Sequence, residues 1–379
     1  MQGSPSREAM PDRLRAVALL GIVVVNAPLL GIVGTEGLSQ GSVSGPLDAA
    51  AAFGMIALAQ GKFYLLFSFL FGYSAAFILR DNTRSNRWRF SRRLLVLALF
   101  GLVHAVFFYI GDILITYALL GLGLLALSRR SDRALKGWAI VVAALSVLVV
   151  TAWISLVAIL PEPSPDMTAL DSALATGSFL QAADARLSAL PMVLAYLLLT
   201  QGGLAFAAFL LGLLASRHGW LADPAAHVEQ WRRMAILGLS LGLPVQFLAA
   251  WLQVSAIREG SHLLGPGPIG LILGLGTAPV LSAGYLGLMG WLLGRRPDLL
   301  RDLAPAGQAS LTVYVGESVL LSLLFCGYGL GFYGQWGALA VMLAALASWV
   351  VLVLFARLWL RRFRRGPLEE ALARLTRRS

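Results

Sequence analysis

The sequence predicts an all-α polytopic membrane protein. It reads as a single transmembrane helical domain over residues 1–379, with about ten crossings and both termini in the cytoplasm. Three observations carry this reading. The chain is 58% apolar and only 13% charged, with mean hydropathy +0.77, whereas a soluble domain is about 25% charged. Its apolar residues fall in runs long enough to cross a bilayer. The cations between those runs sort to one side.

The runs stand at 16–34, 63–79, 94–110, 113–128, 138–160, 191–215, 234–255, 268–294, 309–326 and 336–360. A crossing helix takes about 17–25 residues. The first run follows MQGSPSREAMPDRLR, which shows no small-residue cleavage pattern, so it reads as a retained span rather than a signal peptide. Residues 47–60 are moderately apolar and suit either an interfacial helix or an extension of the second span. The run 113–128 is short for a crossing. It still counts as one, because 94–128 is too long for a single span and Gly111-Asp112 supplies a turn, giving a helical hairpin.

The positive-inside rule tests this count. With the N-terminus inside, 27 cations fall on the inner side and three, Lys62, Arg186 and Arg258, on the outer. A wrong span count would mix the two sets. The net charge of +11 is therefore topological, and it argues against nucleic acid, which calls for arginines interleaved with aromatics on a folded surface. A single cysteine, Cys326, excludes a disulfide framework and a multi-cysteine metal site. The four histidines are scattered, so no metal is expected.

Two connections have character of their own. The segment 161–190 opens with a proline-rich breaker and turns weakly amphipathic through Met167, Leu170, Leu174, Leu187 and Leu190. It reads as an extracytoplasmic amphipathic loop, a lid on the outer interface. The tail 361–379 reads as a cytoplasmic basic amphipathic helix on the inner leaflet.

Polar residues at membrane depth are few: Asn26, Gln60, Lys62, Ser68, His104, Asp112, Thr116, Tyr117, Gln201, Gln246, Gln253, Tyr314 and Glu317. Ionisable groups there are functional suspects by default. His104 precedes the Gly111 turn by seven residues, which sets it ~10 Å below the outer rim. Thr116 and Tyr117 mirror it on the return helix, and Asn26 lies at similar depth, ~12 Å from the end of its own span. A neutral imidazole at that level can take a proton from an attacking hydroxyl or amine, and an amide can orient it or hold an oxyanion. His104 and Asn26 can equally bond across helices only to satisfy each other. Asp112 sits near the rim, too high for an assured contact with His104, and as an N-cap it is explained by the helix it starts. Lys62 can snorkel outward. Glu317, mid-span, needs a proton, a partner or water.

Several segments resemble the YeiB-type family of bacterial membrane proteins, a family known as a domain of unknown function. They are DRLRAVALLGIVVVN (12–26), GKFYLLFSFLFG (61–72), RRLLVLALFGLVHAVFFYIGDILITYALLGLGLL (92–125), ASLTVYVGES (309–318), YGLGFYG (328–334) and RRFRRGPLEEALARL (361–375). The sequence departs from the family pattern at Val313, usually Asn, at Glu317, usually Gln, and at Ala16, commonly Gly. More distantly, through Asp12-x-x-Arg15, the family is similar to the heparan-α-glucosaminide N-acetyltransferase family of transmembrane acyltransferases. That similarity implies an enzyme that draws an acyl group from cytoplasmic acyl-CoA and delivers it to a sugar, lipid or small-metabolite acceptor.

In that reading His104 is the base, with Asn26, Asp112 and Tyr117 in the catalytic set, and Arg15, Arg92 and Arg93 hold the donor phosphates, for which arginine is suited. The same arginines are also what topology alone would place at inner span ends. The implied setting is the bacterial inner membrane, multi-pass, with membrane lipids and an acceptor as partners and a homodimer as one assembly. Two alternatives stay open: a proton-coupled transporter using Glu317 or Asp112, with a helix broken at the glycines and prolines of 265–279, and a non-enzymatic envelope scaffold.

Overall fold

A computed structural model describes residues 8–33, 37–81, 83–159, 167–260 and 265–376. Arg7, residues 160–166 of the outer connection, and Arg377 and Arg378 of the tail lie outside the described residues. Among the described residues there are fifteen α-helices and no strand. The long ones are α1 (Ala9–Gly31), α4 (Arg84–Phe107), α6 (Asp132–Ile159), α10 (Val228–Glu259), α11 (Pro266–Arg295) and α14 (Ala338–Trp359).

Two crossings are composite. Helices α2 (Pro46–Gly54) and α3 (Phe63–Leu79) join through a π-helical turn, Met55–Ala59, and α8 (Phe179–Leu197) joins α9 (Gly203–Arg217) through another, Leu198–Gly202. The short α5 (Leu114–Leu127) returns from α4, and α7 (Thr168–Thr176) precedes α8. A short α12 (Ala304–Gln308) leads into α13 (Ser310–Phe325), and α15 (Pro367–Thr376) closes the chain. Eight of these stretches are long and apolar enough to cross a membrane, and 301–308 with 310–325 form a further one, bent by 82°. The shorter apolar α5 follows α4 where the sequence reading placed a tenth run, and the chain is a multi-pass membrane protein.

Local chemistry explains the boundaries. Thr83 accepts from the Asn86 amide and starts α4, and a Ser178–Gln181 capping box starts α8. Gly260, at φ 68°, ends α10 in the left-handed conformation that glycine adopts freely. Small residues then let helices touch. A Cβ on Gly238 would sit 2.4 Å from Gly284, and one on Gly287 2.5 Å from the Ala235 backbone, so α10 and α11 meet almost backbone to backbone. Helices α3 and α9 meet the same way at Gly72 and Gly212. Helix α1 lies beside α13, with Gly31 against Phe325 at one end and Gly307, just ahead of α13, against Asp12 at the other.

Two expectations are corrected here. Lys62 does not snorkel. It is 1% exposed, and its ammonium donates to the Ile56 carbonyl at 2.8 Å. The π-helical turn leaves carbonyls without helical partners, and side chains satisfy two of them: Lys62 at Ile56 and Tyr285 at Leu58, while Ser282 adds a second donor to the Lys62 carbonyl that the Leu66 amide already reaches. Of residues 161–190 the structure describes 167–190. The described part is α7 plus the first turns of α8, because the capping box launches a helix that runs on into the crossing. Leu170, Leu174 and Leu190 are buried there and Leu187 is exposed. The eighth crossing is not broken: α11 is continuous through Pro279, and the interruptions fall at 55–62 and at Ala309 instead.

Candidate functional site

The site is built at the α4–α5 hairpin. Helix α4 ends at Phe107, where the amides of Phe108 and Tyr109 both donate to the His104 carbonyl at 2.9 Å. His104 thus stands in the last helical turn, and residues 108–113 fold back instead of extending the helix. This brings Asp112 down to the imidazole: Nδ1 of His104 and Oδ2 of Asp112 are 2.7 Å apart, each side chain 1% exposed. The expectation that Asp112 lies too high fails because it assumed helix up to residue 111. The other carboxylate oxygen accepts from the Ile115 amide at 2.9 Å and caps α5. Asp112 therefore serves as cap and as partner of His104 at once.

Gly101, one turn before His104 on the same face, makes the approach possible. A Cβ there would lie 2.6 Å from Oδ1 of Asp112 and 2.8 Å from the Ile115 nitrogen. With the carboxylate accepting, Nδ1 is the donor, and in a neutral imidazole Nε2 is then the acceptor. That Nε2 is buried and has no hydrogen-bond partner. Two aromatic rings lie against the imidazole, Tyr314 at 5.0 Å between centroids and Tyr109 at 6.1 Å. The Tyr314 hydroxyl accepts from the Ile113 amide at 3.2 Å. Glu317, one turn along α13 from Tyr314, is buried with Oε1 unpartnered, as is Thr116 Oγ1 on α5.

The other sequence-derived candidates divide. Tyr117 is buried, and its hydroxyl is engaged with Ser68 Oγ at 2.6 Å and the Tyr64 carbonyl at 2.9 Å, which ties α5 to α3. Asn26 is partly buried on α1 and makes no side-chain hydrogen bond among the described residues, so it does not orient His104 in this conformation. At the arginine-bearing end of α4, Arg15 pairs with Asp12 at 2.6 Å and donates to Ser74 Oγ at 2.6 Å. Arg93 is exposed and lies within electrostatic reach of Arg15, Arg89 and Glu369. Arg92 is partly exposed beside it. Arg93 and His104 are eleven residues apart on one helix, about 16 Å.

Three residues outside the sequence-derived set matter. Tyr314 stood among the polar residues at membrane depth, but no spacing links positions 104 and 314. Gly101 carries a usable signal, a glycine three residues before the histidine on a hairpin helix. Arg186, read as a topological exception, is buried at 1% exposure. It donates to the Phe107 carbonyl at 3.0 Å, to Tyr328 Oη at 3.2 Å and to Cys326 Sγ at 3.4 Å, and so anchors the end of α4. Among the described residues no three metal-ligating side chains converge. An apolar groove of about 780 Å³ runs between α13 and α14, lined by Leu320, Leu324, Leu343 and Ala347 among others, and a smaller opening of about 540 Å³ lies at 298–303. Neither includes His104, whose ring is enclosed in this conformation.

Residues 215–379 match a family described as "Protein of unknown function (DUF418)". The chain is 29% identical over 389 residues to the uncharacterized protein YxaH of Bacillus subtilis, covering 94% of this chain and 91% of that one. It is 28% identical over 387 residues to the uncharacterized protein YeiB of Escherichia coli, covering 98% and 97%. An uncharacterized 39.9 kDa protein of Bacillus acidopullulyticus is 28% identical over 372 residues, covering 94% and 90%. No solved structure matches.

Proposed function

Because the chain belongs to the YeiB-type family of uncharacterized proteins, we propose its function from its own site: a membrane-embedded acyltransferase of the bacterial inner membrane and cell envelope, with His104 as general base. The observation that carries this reading is the buried His104–Asp112 pair with Nε2 unpartnered. A carboxylate on Nδ1 fixes the ring and its tautomer, and it supports the imidazolium that forms when Nε2 accepts a proton. The acceptor, a hydroxyl or amine of a sugar, lipid or small metabolite, loses that proton as it attacks the acyl thioester. The proton passes to the departing thiol. An acyl-CoA donor suits the Arg15 and Arg93 end, since arginine recognises phosphate and an extended pantetheine arm covers the distance along α4.

The test is transfer of a radiolabelled acetyl group from acetyl-CoA into membrane extract by the full chain in nanodiscs. His104→Gln and Asp112→Asn should each lower transfer by about 10²–10⁴-fold. Asparagine still caps α5, so Asp112→Asn isolates the effect on His104. Undiminished transfer in both folded variants refutes the assignment. A proton-coupled carrier is the second reading, favoured by interrupted crossings and by the unpartnered Glu317 carboxyl. Proteoliposome uptake that is abolished by Glu317→Gln and indifferent to His104→Gln would select it.

A further inference from the structure

His104 is enclosed, so a substrate reaches it only if something covering it moves. Tyr314 is one cover, and it stands one turn into α13, which begins at the 82° bend. The first amides of a helix have no partners within it. In α13 they are taken by a carboxylate from far along the chain. Oε1 of Glu369 accepts from the Leu311 amide at 2.6 Å and the Thr312 amide at 3.2 Å, and Oε2 accepts from Thr312 Oγ1 at 2.6 Å. The Leu368 amide adds a donation to Thr312 Oγ1 at 3.1 Å. Leu372, one turn beyond Glu369, is buried in the apolar cluster that also holds Leu311 and Tyr314. The tail helix α15 therefore grips the start of α13 by charge and by apolar contact. Its neighbouring acid behaves differently: Glu370 pairs with Arg365 and Arg374 at the surface.

We propose that Glu369 is a positioning residue and α15 a latch. Docked, it holds α13 so that Tyr314 covers the imidazole. Released, it lets α13 turn at Ala309 and opens the His104 site. The inference rests on His104 being the working group, and it is independent of whether the reaction is acyl transfer.

The experiment measures how fast diethyl pyrocarbonate modifies each histidine of the full chain in nanodiscs, read by peptide mass spectrometry. His218, half-exposed, is the internal reference. Glu369→Ala should raise His104 modification relative to His218 on the order of tenfold or more, since three bonds to a charged acceptor are lost from a site of local opening. Glu369→Gln, whose amide oxygen still accepts from the two backbone groups, should restore most of the protection, and Glu370→Ala should match wild type. Tyr333→Phe, at the other end of the bundle, controls for general loosening. If Glu369→Ala does not insert, Thr312→Val removes the hydroxyl's two contacts, to Glu369 Oε2 and from the Leu368 amide, keeps the two backbone bonds to Glu369, and should shift the rate the same way by less. Unchanged protection of His104 in a folded Glu369→Ala protein overturns the proposal, and so does equal exposure in Tyr333→Phe. No transfer is read in this assay, so its failure leaves the acyltransferase reading standing; an absence of transfer from acetyl-CoA leaves the latch standing, whereas undiminished transfer in His104→Gln removes the working group on which the latch rests.

Discussion

Replacing Gly101 by alanine is the sharpest probe of the His104–Asp112 geometry. The added carbon would sit 2.6 Å from Asp112 Oδ1 and 2.8 Å from the Ile115 nitrogen. The second of these is backbone at the start of α5, so no side-chain rotation relieves it. Restoring ordinary contact takes a displacement of roughly 0.7 Å, given that carbon–oxygen contacts sit near 3.3 Å or beyond. A shift of that size, added to the 2.7 Å between His104 and Asp112, stretches the bond to about 3.4 Å, past useful hydrogen-bond geometry. Overpacking of this kind costs about 1–3 kcal/mol. Denaturant titration of the variant in mixed micelles, set beside the ring ¹⁵N spectrum of His104, reads both effects. A stability loss under about 0.5 kcal/mol with an unshifted His104 ring signal would refute the claim that this glycine sets the approach.

Two further expectations follow from the same structure. Tyr117→Phe removes a hydroxyl that bonds Ser68 and the Tyr64 carbonyl; it should cost about 1–2 kcal/mol while changing transfer by no more than a few-fold, and a loss comparable to that of His104→Gln would restore Tyr117 to the catalytic set. At the opposite end, burial and the Asp171 carboxylate push the Tyr333 hydroxyl above its usual titration range. Its stabilising contribution is complete below about pH 10 and declines as pH rises beyond that, by up to about 1.4 kcal/mol per unit. Wild type should therefore lose thermal stability above pH 10 more steeply than Tyr333→Phe, and parallel curves would show that the pair does not matter.

How far the sequence reached follows from what each signal encodes. Crossings were legible because apolar length and cation placement are one-dimensional properties, so even the short α5 could be placed. His104 and Asp112 were legible as costly residues, but their contact was not. It depends on α4 stopping at Phe107 and on a chain reversal that residue counting treats as helix. Tyr314 and Glu369 were beyond reach for another reason. Each acts on a partner far away along the chain, Tyr314 on His104 and Glu369 on Thr312, and periodicity is silent about such pairs. Lys62 was misread because a charge beside an apolar run ordinarily marks a span end, whereas here it closes a π-helical turn inside the bundle.

The glycine seam between α10 and α11 also bears on how this protein is made. Within lipid no hydrophobic force drives helices together, so backbone proximity and dispersion decide which pairs hold. These helices are neighbours in sequence and meet at Gly238, Gly242, Gly284 and Gly287, so they can associate as soon as both have left the translocon. The hairpin over 228–295 then presents a finished surface on which the interrupted α2–α3 crossing, made earlier, can settle, its Leu58 carbonyl meeting Tyr285 and its Lys62 carbonyl meeting Ser282.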